Sequence, residues 1–337
     1  MDVTHVTATS AAMPPADDRP SYSDVVDAAT RIAPFVHRTA VLRCTAIDEV
    51  VGARVHLKAE HLQRMGAFKM RGATNAVQRL DDTTARLGVA AHSSGNHAAA
   101  LARAARTRGI PCFIVMPNDT PEIKVAATRD QGAEITFCAP TLADRSATLA
   151  VVLARTGATE IHPYDHPHVI AGQGTAALEL LDDVPALTTL IAPVSGGGLL
   201  SGCAIAASAH HPHVRVWGVE PVTVADAYRS LQTGALSVEG NTTSIADGLL
   251  AVLSQRTFAI LSDHDVEIVT VTDTDIIEAM ALLLTRAKQV VEPSGAAALA
   301  GAIALAGNST DLGDDVGVIL SGGNVDLERL ASHLRSR

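Results

Sequence analysis

The chain has 337 residues, 47% of them hydrophobic but only 3% aromatic, and a formal net charge of -10. That length fits one large or two medium domains, and an aliphatic core favours helices packed closely on a parallel sheet. The absence of a basic run argues against nucleic-acid binding, no apolar run reaches the length of a membrane span, and Cys44, Cys112, Cys138 and Cys203 lack the CxxC pairing of a zinc site or disulfide framework.

Residues 1–20 are polar, rich in Ala, Pro and Asp, and lack the basic-then-apolar order of a signal peptide. They read as a disordered arm of a cytoplasmic protein. Ser23 to Ile32 reads as a helix with Ser23 as its N-cap. A β-like run, Val55 to Leu57, leads through a polar turn into Gly66-Ala67-Phe68-Lys69, and from Phe68 onward the spacing is helical. A lysine at a helix N-terminus meets the positive end of the helix dipole, so its pKa should fall. Such a lysine is a nucleophile toward carbonyls. By base rate alone a solvated surface lysine is the commoner case, so the rest of the chain has to decide.

Gly88 to His92 reads as a short buried strand, broken by Ser93-Ser94-Gly95-Asn96-His97 before an alanine-rich helix over Ala98 to Arg106. Strand Pro111–Met116, a helix opened by Pro121, strand Glu134–Phe137, helix Leu142–Thr156 and a strand-like Ile161 follow. A longer alternation begins with helix Gly174–Leu181, strand Thr188–Pro193, the loop Ser195-Gly196-Gly197-Gly198 and helix Leu199–Ala209. Strand Val214–Glu220, helix Ala225–Leu231, a turn-rich stretch over 234–250, strand Asp265–Val271 and helices Asp273–Arg286 and Ser294–Leu305 come next. Strand Val316–Leu320, the loop Ser321-Gly322-Gly323-Asn324 and helix Leu327–Leu334 end the chain. The pattern predicts an α/β protein of two open twisted-sheet domains with helices on both faces. Residues 21–80 and 163–337 form the large domain, residues 81–162 a small inserted one, and the site lies between them at the carboxyl ends of the strands.

Several motifs carry chemistry. Three glycines between an apolar strand and an apolar helix let backbone N–H groups converge on a phosphate at a helix N-terminus. The Ser93 to His97 turn offers N–H groups, hydroxyls and an amide at another helix start, which suits a small carboxylate, although N-capping by Ser94 or Asn96 is the plainer explanation. Gly172-Gln173-Gly174 matches the dinucleotide fingerprint only nominally, because no strand precedes it. It reads as a glycine-capped helix start that lines the site. Glu220 and Asp226, with an intervening carbonyl, could hold a hard cation such as Mg²⁺ or Ca²⁺. A hydroxyl at Ser321 could bond a heterocyclic nitrogen or cap the last helix. No H-E-x-x-H, nucleophile elbow or Walker loop occurs.

A reactive lysine, a phosphate loop, a carboxylate turn and a late serine require one ligand with an aldehyde, a phosphate and a ring nitrogen, the combination found in pyridoxal 5′-phosphate. Gly66 to Ala73, Ser93 to His97, Val169 to Thr175, Pro193 to Leu199 and Leu320 to Asp326 occur in that order. Together they closely resemble the fold-type II pyridoxal-phosphate family of threonine/serine dehydratases and serine racemases, whose fold is tryptophan-synthase-β-like. The resemblance implies that Lys69 is the Schiff-base lysine and the acid/base at Cα. It implies that Phe68 packs by the cofactor, Asn96 bonds its phenolic oxygen, Ser195, Gly196, Gly197, Gly198 and Leu199 hold its phosphate, and Ser321 bonds its pyridine nitrogen. Ser93, Ser94, Gly95, Asn96 and His97 would bind the substrate carboxylate, with Ser94 matching the opposite-face serine of the racemases. Glu220, Asp226 and the Val224 carbonyl match the family's divalent-cation site.

The implied reaction is β-elimination from a β-hydroxy amino acid such as L-threonine or L-serine, giving a 2-oxo acid and ammonia. Racemisation or 3-hydroxyaspartate ammonia-lyase activity is the alternative, in a homodimer or higher homo-oligomer. There are departures. Ala67 stands where many members carry Ser, Ser195 where many carry Gly, and Ala98-Ala99 replaces a Gly-Gln continuation. Tyr164, where racemases tend to have Asn, leans toward a dehydratase. The chain ends soon after the Ser321 loop, so the regulatory domain of the biosynthetic threonine dehydratases is not expected.

Overall fold

The structure, a computed structural model, describes residues 18–237 and 243–335. Residues 1–17 of the expected arm and residues 238–242 of the turn-rich stretch lie outside the described residues. In chain order the strands are β1 (Val41–Leu42), β2 (Arg54–Lys58), β3 (Val89–His92), β4 (Cys112–Pro117), β5 (Glu134–Cys138), β6 (Thr159–Glu160), β7 (Thr189–Pro193), β8 (Arg215–Pro221), β9 (Glu267–Val271) and β10 (Asp315–Ile319). The helices are α1 (Tyr22–Ile32), α2 (Thr45–Val51), α3 (Lys69–Arg79), α4 (Asp82–Leu87), α5 (Asn96–Arg108), α6 (Glu122–Arg129) and α7 (Leu142–Thr156). Then come α8 (Pro167–Asp183), α9 (Gly198–His210), α10 (Asp226–Thr233), α11 (Gln255–Asp263), α12 (Asp273–Leu282), α13 (Pro293–Gly307) and α14 (Leu327–Arg335).

These make a two-domain α/β fold. The larger sheet runs β1-β2-β10-β7-β8-β9, parallel except for the antiparallel β1–β2 pair. The smaller, β5-β4-β3-β6, is wholly parallel. Parallel strands need crossovers, and the helices supplying them cover both faces. Side-chain alternation then sorts each strand: Leu190 and Ala192 face the layer of α1, α8, α9 and α11, while Ile191 faces that of α2, α12, α13 and α14. In the smaller sheet Val89 and Ala91 pack with α3, α5 and α6, and Ala90 with α7. Among the described residues no helix is long and apolar enough to cross a membrane.

Three local expectations are corrected. The cap of α1 is Ser21, not Ser23: Ser21 Oγ accepts from the Asp24 N–H and the Asp24 carboxylate accepts from the Ser21 N–H at 2.9 Å. Asp24 stands three residues after Ser21, which completes a reciprocal capping box that Ser23 cannot form. Gly172-Gln173-Gly174 is not a helix start but lies inside α8, which begins five residues earlier at Pro167 behind a His166 cap. Its glycines serve close helix packing. A Cβ on Gly172 would stand 2.7 Å from the Gly72 Cα, and one on Gly174 2.7 Å from the Gly202 carbonyl oxygen. Neither Ser94 nor Asn96 caps α5; Gly95 holds that position without a side-chain bond.

Candidate active site

Lys69 is the first residue of α3. Its Nζ donates to the Pro163 carbonyl at 2.8 Å and lies 5.1 Å from the centre of the Phe68 ring. Burial pushes its pKa down to about 8, and no carboxylate among the described residues offsets that push. The direction expected from the helix dipole therefore holds, with desolvation as its cause. A carbonyl stabilises an ammonium far less than a carboxylate does, so about one tenth of the amine is free base at pH 7.

Two residues on, Arg71 is fully buried in the opposite setting. Its Nε and Nη2 donate to the two Glu60 oxygens, and its Nη1 and Nη2 to those of Glu179, all at 2.8 Å. Lys58 donates to Glu179 at 2.7 Å and to the Thr39 carbonyl at 2.8 Å. Burial works against the Arg71 charge, but Glu60 and Glu179 together raise its pKa. This knot ties α3 to the loop after β2 and to α8, and so fixes the helix that begins with Lys69.

The Ser321 loop closes against the three residues that precede the lysine. The Phe68 N–H donates to the Ser321 carbonyl at 3.0 Å, the Gly323 N–H to the Gly66 carbonyl at 2.9 Å, and Ala67 pairs with Gly322 in an isolated bridge. The Ser321 hydroxyl is buried, with one long contact of 3.4 Å to the Ser294 carbonyl. The Ser294 hydroxyl in turn accepts from the Gly248 N–H at 2.9 Å.

The glycine loop follows β7. Gly197 caps α9 at φ +86°, a conformation that a side chain disfavours, and this turns the loop onto the thirteen-residue helix. Ser195 Oγ bonds the Ala251 N–H at 3.1 Å. The Tyr164 ring packs against Gly196, where a Cβ would stand 2.4 Å from it, and the Tyr164 Cβ and backbone lie against Gly198. Tyr164 stacks edge-on with His162, and burial pushes its hydroxyl up to about 12. Since Lys69 holds the carbonyl of the preceding residue, the segment Pro163-Tyr164 joins the lysine to the glycine loop.

The Ser93 to His97 turn joins β3 to α5, with Ser93 and Ser94 half-buried. The His97 imidazole is engaged within the protein: Nε2 bonds the Ile161 carbonyl at 2.8 Å, and burial holds the ring well down, at about 3. A carbonyl only accepts, so Nε2 carries the proton and the buried Nδ1, which has no partner among the described residues, is an acceptor. What this turn offers an anion is therefore backbone N–H groups of the helix start.

Glu220 and Asp226 are brought together and buried. Glu220 accepts from the Tyr228 N–H at 2.7 Å and is raised to about 7, chiefly by burial, with Asp226 adding to the rise. Asp226 accepts from the Leu253 N–H at 3.1 Å, and the Val224 carbonyl accepts from Arg229 at 2.8 Å. Among the described residues no group of three or more His, Cys, Asp and Glu is arranged to hold a metal ion.

Sequence reasoning missed Glu292, Asn324 and Arg145. Glu292 is buried and donated to by Asn96 at 2.8 Å. Asn324 donates to Asn96 Oδ1 at 2.8 Å. Arg145, near the start of α7, has a buried Nε without a partner among the described residues and lowers the pKa of His92, itself chiefly lowered by burial, at the carboxyl end of β3. The only signal for Glu292 was a charged residue just before Pro293 in an apolar run.

A family model described as pyridoxal-phosphate dependent enzyme matches residues 32–322. The chain is 44% identical over 311 residues to a beta-hydroxyaspartate dehydratase of Paracoccus denitrificans (strain Pd 1222), covering 92% of this chain and 98% of that one. Maize serine racemase superposes with a TM-score of 0.90 at 41% identity, over 94% of this chain and 97% of that chain. A threonine deaminase of T.th. superposes with a TM-score of 0.86 at 43% identity, over 91% of this chain and 99% of that chain.

Proposed function

The chain belongs to the pyridoxal-phosphate dependent enzyme family, and on that premise we propose that it eliminates water from a β-hydroxy amino acid, the enamine product then taking up water to give a 2-oxo acid and ammonia. The observation that carries the reading is Lys69: an amine lowered to about 8 with no carboxylate partner among the described residues, at the junction of three loops. The donor set fits the cofactor. It comprises an amine for the aldehyde, a glycine-walled helix N-terminus for the phosphate, and a buried neutral hydroxyl for the ring nitrogen. When bound, the cofactor supplies the electron sink that makes the substrate Cα proton acidic.

The chain's own residues do the rest. Lys69 takes the Cα proton, and the β-hydroxyl departs with a proton as water. Ser195 to Leu199 hold the phosphate, Phe68 packs beside the ring, and Asn96 offers its amide to the phenolic oxygen. Ser321 would hold the ring nitrogen through a neutral hydroxyl, which offers no charge to stabilise a proton there. The turn over Ser93, Ser94, Gly95, Asn96 and His97 grips the substrate carboxylate, with backbone N–H groups as the donors at His97. The unpartnered Arg145 Nε favours a substrate with a second carboxylate, and so a 3-hydroxyaspartate over serine or threonine. Glu220, Asp226 and the Val224 carbonyl are read as a site for Mg²⁺ or Ca²⁺, where a cation would relieve two crowded carboxylates. We read the enzyme as cytoplasmic and as a homodimer or higher homo-oligomer.

Purified holoenzyme given 3-hydroxyaspartate, L-serine and L-threonine in turn should release 2-oxo acid and ammonia, fastest from the first. Chiral analysis of residual substrate tests racemisation, for which Ser94 is the opposite-face proton donor. No 2-oxo acid from any of the three, or a Lys69→Ala protein with the wild-type absorbance, overturns the proposal. Thermal unfolding with and without Ca²⁺ tests the cation site; an unchanged midpoint rejects it.

A further inference from the structure

Glu292 occupies the N-cap position of α13 yet makes no cap bond to that helix. Its side chain is instead turned toward Asn96, whose Nδ2 donates to Glu292 Oε1 at 2.8 Å. Gly322 makes room for it: a Cβ there would stand 2.3 Å from Oε1. A buried carboxylate that forgoes capping its own helix, in a space that only a glycine leaves open, is held there for its partner.

The identity of each Asn96 amide atom follows from the bonds. Asn324 Nδ2 donates to the Met65 carbonyl at 2.7 Å, and a carbonyl can only accept, so this atom is the nitrogen. Its second bond, at 2.8 Å, must therefore end on Asn96 Oδ1. The other end of the Asn96 amide is then its NH₂ group, and one of its two N–H bonds is taken by Glu292. Flipping the Asn96 amide would set NH₂ against NH₂ and carbonyl oxygen against carboxylate.

We propose that Glu292 is a positioning residue, which together with Asn324 locks the Asn96 amide so that its second N–H is presented to the phenolic oxygen of the cofactor. This rests on the reading of Asn96 given under Proposed function. Burial raises Glu292 to about 7, helped by Asp247; its bond to Asn96 and the charge of Lys124 pull the other way. The carboxyl group keeps an oxygen for Asn96 in either protonation state.

The test is a double-mutant cycle on the holoenzyme, read by cofactor affinity and by the absorbance maximum of the bound cofactor. Glu292→Ala should weaken cofactor binding roughly tenfold and shift the absorbance maximum, the size expected for one lost hydrogen bond that fixes a donor. Asn96→Ala should do the same, and the double variant should be no worse than Asn96→Ala alone, because Glu292 acts through that amide. Glu292→Gln, which keeps an acceptor oxygen, should recover most of both readouts, and stands in should the alanine variant not fold. Additive losses in the double variant, or an unchanged maximum and affinity in Glu292→Ala alongside altered ones in Asn96→Ala, overturn the inference while leaving the reading of Asn96 standing. Unchanged values in Asn96→Ala remove both.

Discussion

Lys69 and Arg71 stand two residues apart at the start of one helix, and the protein treats them in opposite ways. Arg71 receives two carboxylates in fork geometry, a threonine hydroxyl and near-complete exclusion from water. Lys69 receives one peptide carbonyl and an aromatic ring. The first arrangement keeps a cation charged at any accessible pH, and its use is to join three segments of chain. The second makes charge costly and so keeps the amine reactive. Burial alone thus says nothing about role. What separates a structural cation from a chemical one is whether carboxylates came with it.

The sharpest way to break this contrast is to remove each cation in turn. Lys69→Ala should lower turnover by about 10⁴-fold or more, since it deletes both nucleophile and proton carrier, while the thermal midpoint stays at or above that of the parent chain. A residual rate within a hundredfold of the parent would put the chemistry elsewhere. Arg71→Ala should do the reverse. It leaves Glu60 buried without a counter-charge and Glu179 with Lys58 alone, and should cost about 3–5 kcal/mol in urea unfolding. A loss below about 1 kcal/mol would mean that the knot is ornamental.

Gly72 lies between the two effects. A Cβ there would stand 2.5 Å from Gln173 Nε2 and 2.7 Å from the Val169 carbonyl oxygen, so α3 must move off α8 to accept it. Gly72→Ala should cost roughly 1–3 kcal/mol, as overpacking does, and should also lower turnover because Lys69 rides on the displaced helix. Stability loss with wild-type kcat would show that the lysine is held by the Ser321 loop alone.

The sequence made the reactive side of this contrast legible and hid the structural side. Lys69, the glycine loop and the Ser321 loop are local signals: a residue type at a strand-to-helix junction, readable over a few positions. The partners of Arg71 come from positions 60 and 179, and no periodicity connects them. Glu292 was invisible for the same reason, since its role depends on a residue 196 positions away. Gly172-Gln173-Gly174 misled because glycines that admit a neighbouring backbone look, in one dimension, like glycines that bend a loop. The cap of α1 slid two residues because Ser21 and Ser23 both precede the apolar stripe and only the Asp24 spacing separates them. Most strands and helices were placed correctly, since aliphatic runs between glycine-rich breaks leave a parallel α/β sheet few alternatives; the two-residue β1 was not expected, and Ile161 follows β6 instead of lying in it.

The smallest effect tests the cause of the Lys69 shift directly. If burial without a counter-ion holds the amine at about 8, the rate at which the cofactor-free protein captures pyridoxal phosphate should rise about tenfold per pH unit up to neutrality and level off near pH 8. The sign follows from the group: the depressed pKa leaves the reactive free base in excess above pH 8 and the unreactive ammonium in excess below it. Stopped-flow absorbance between pH 6 and 10 would trace the curve. A rate still climbing at pH 10 would assign the lysine an ordinary pKa and a hydrated amine.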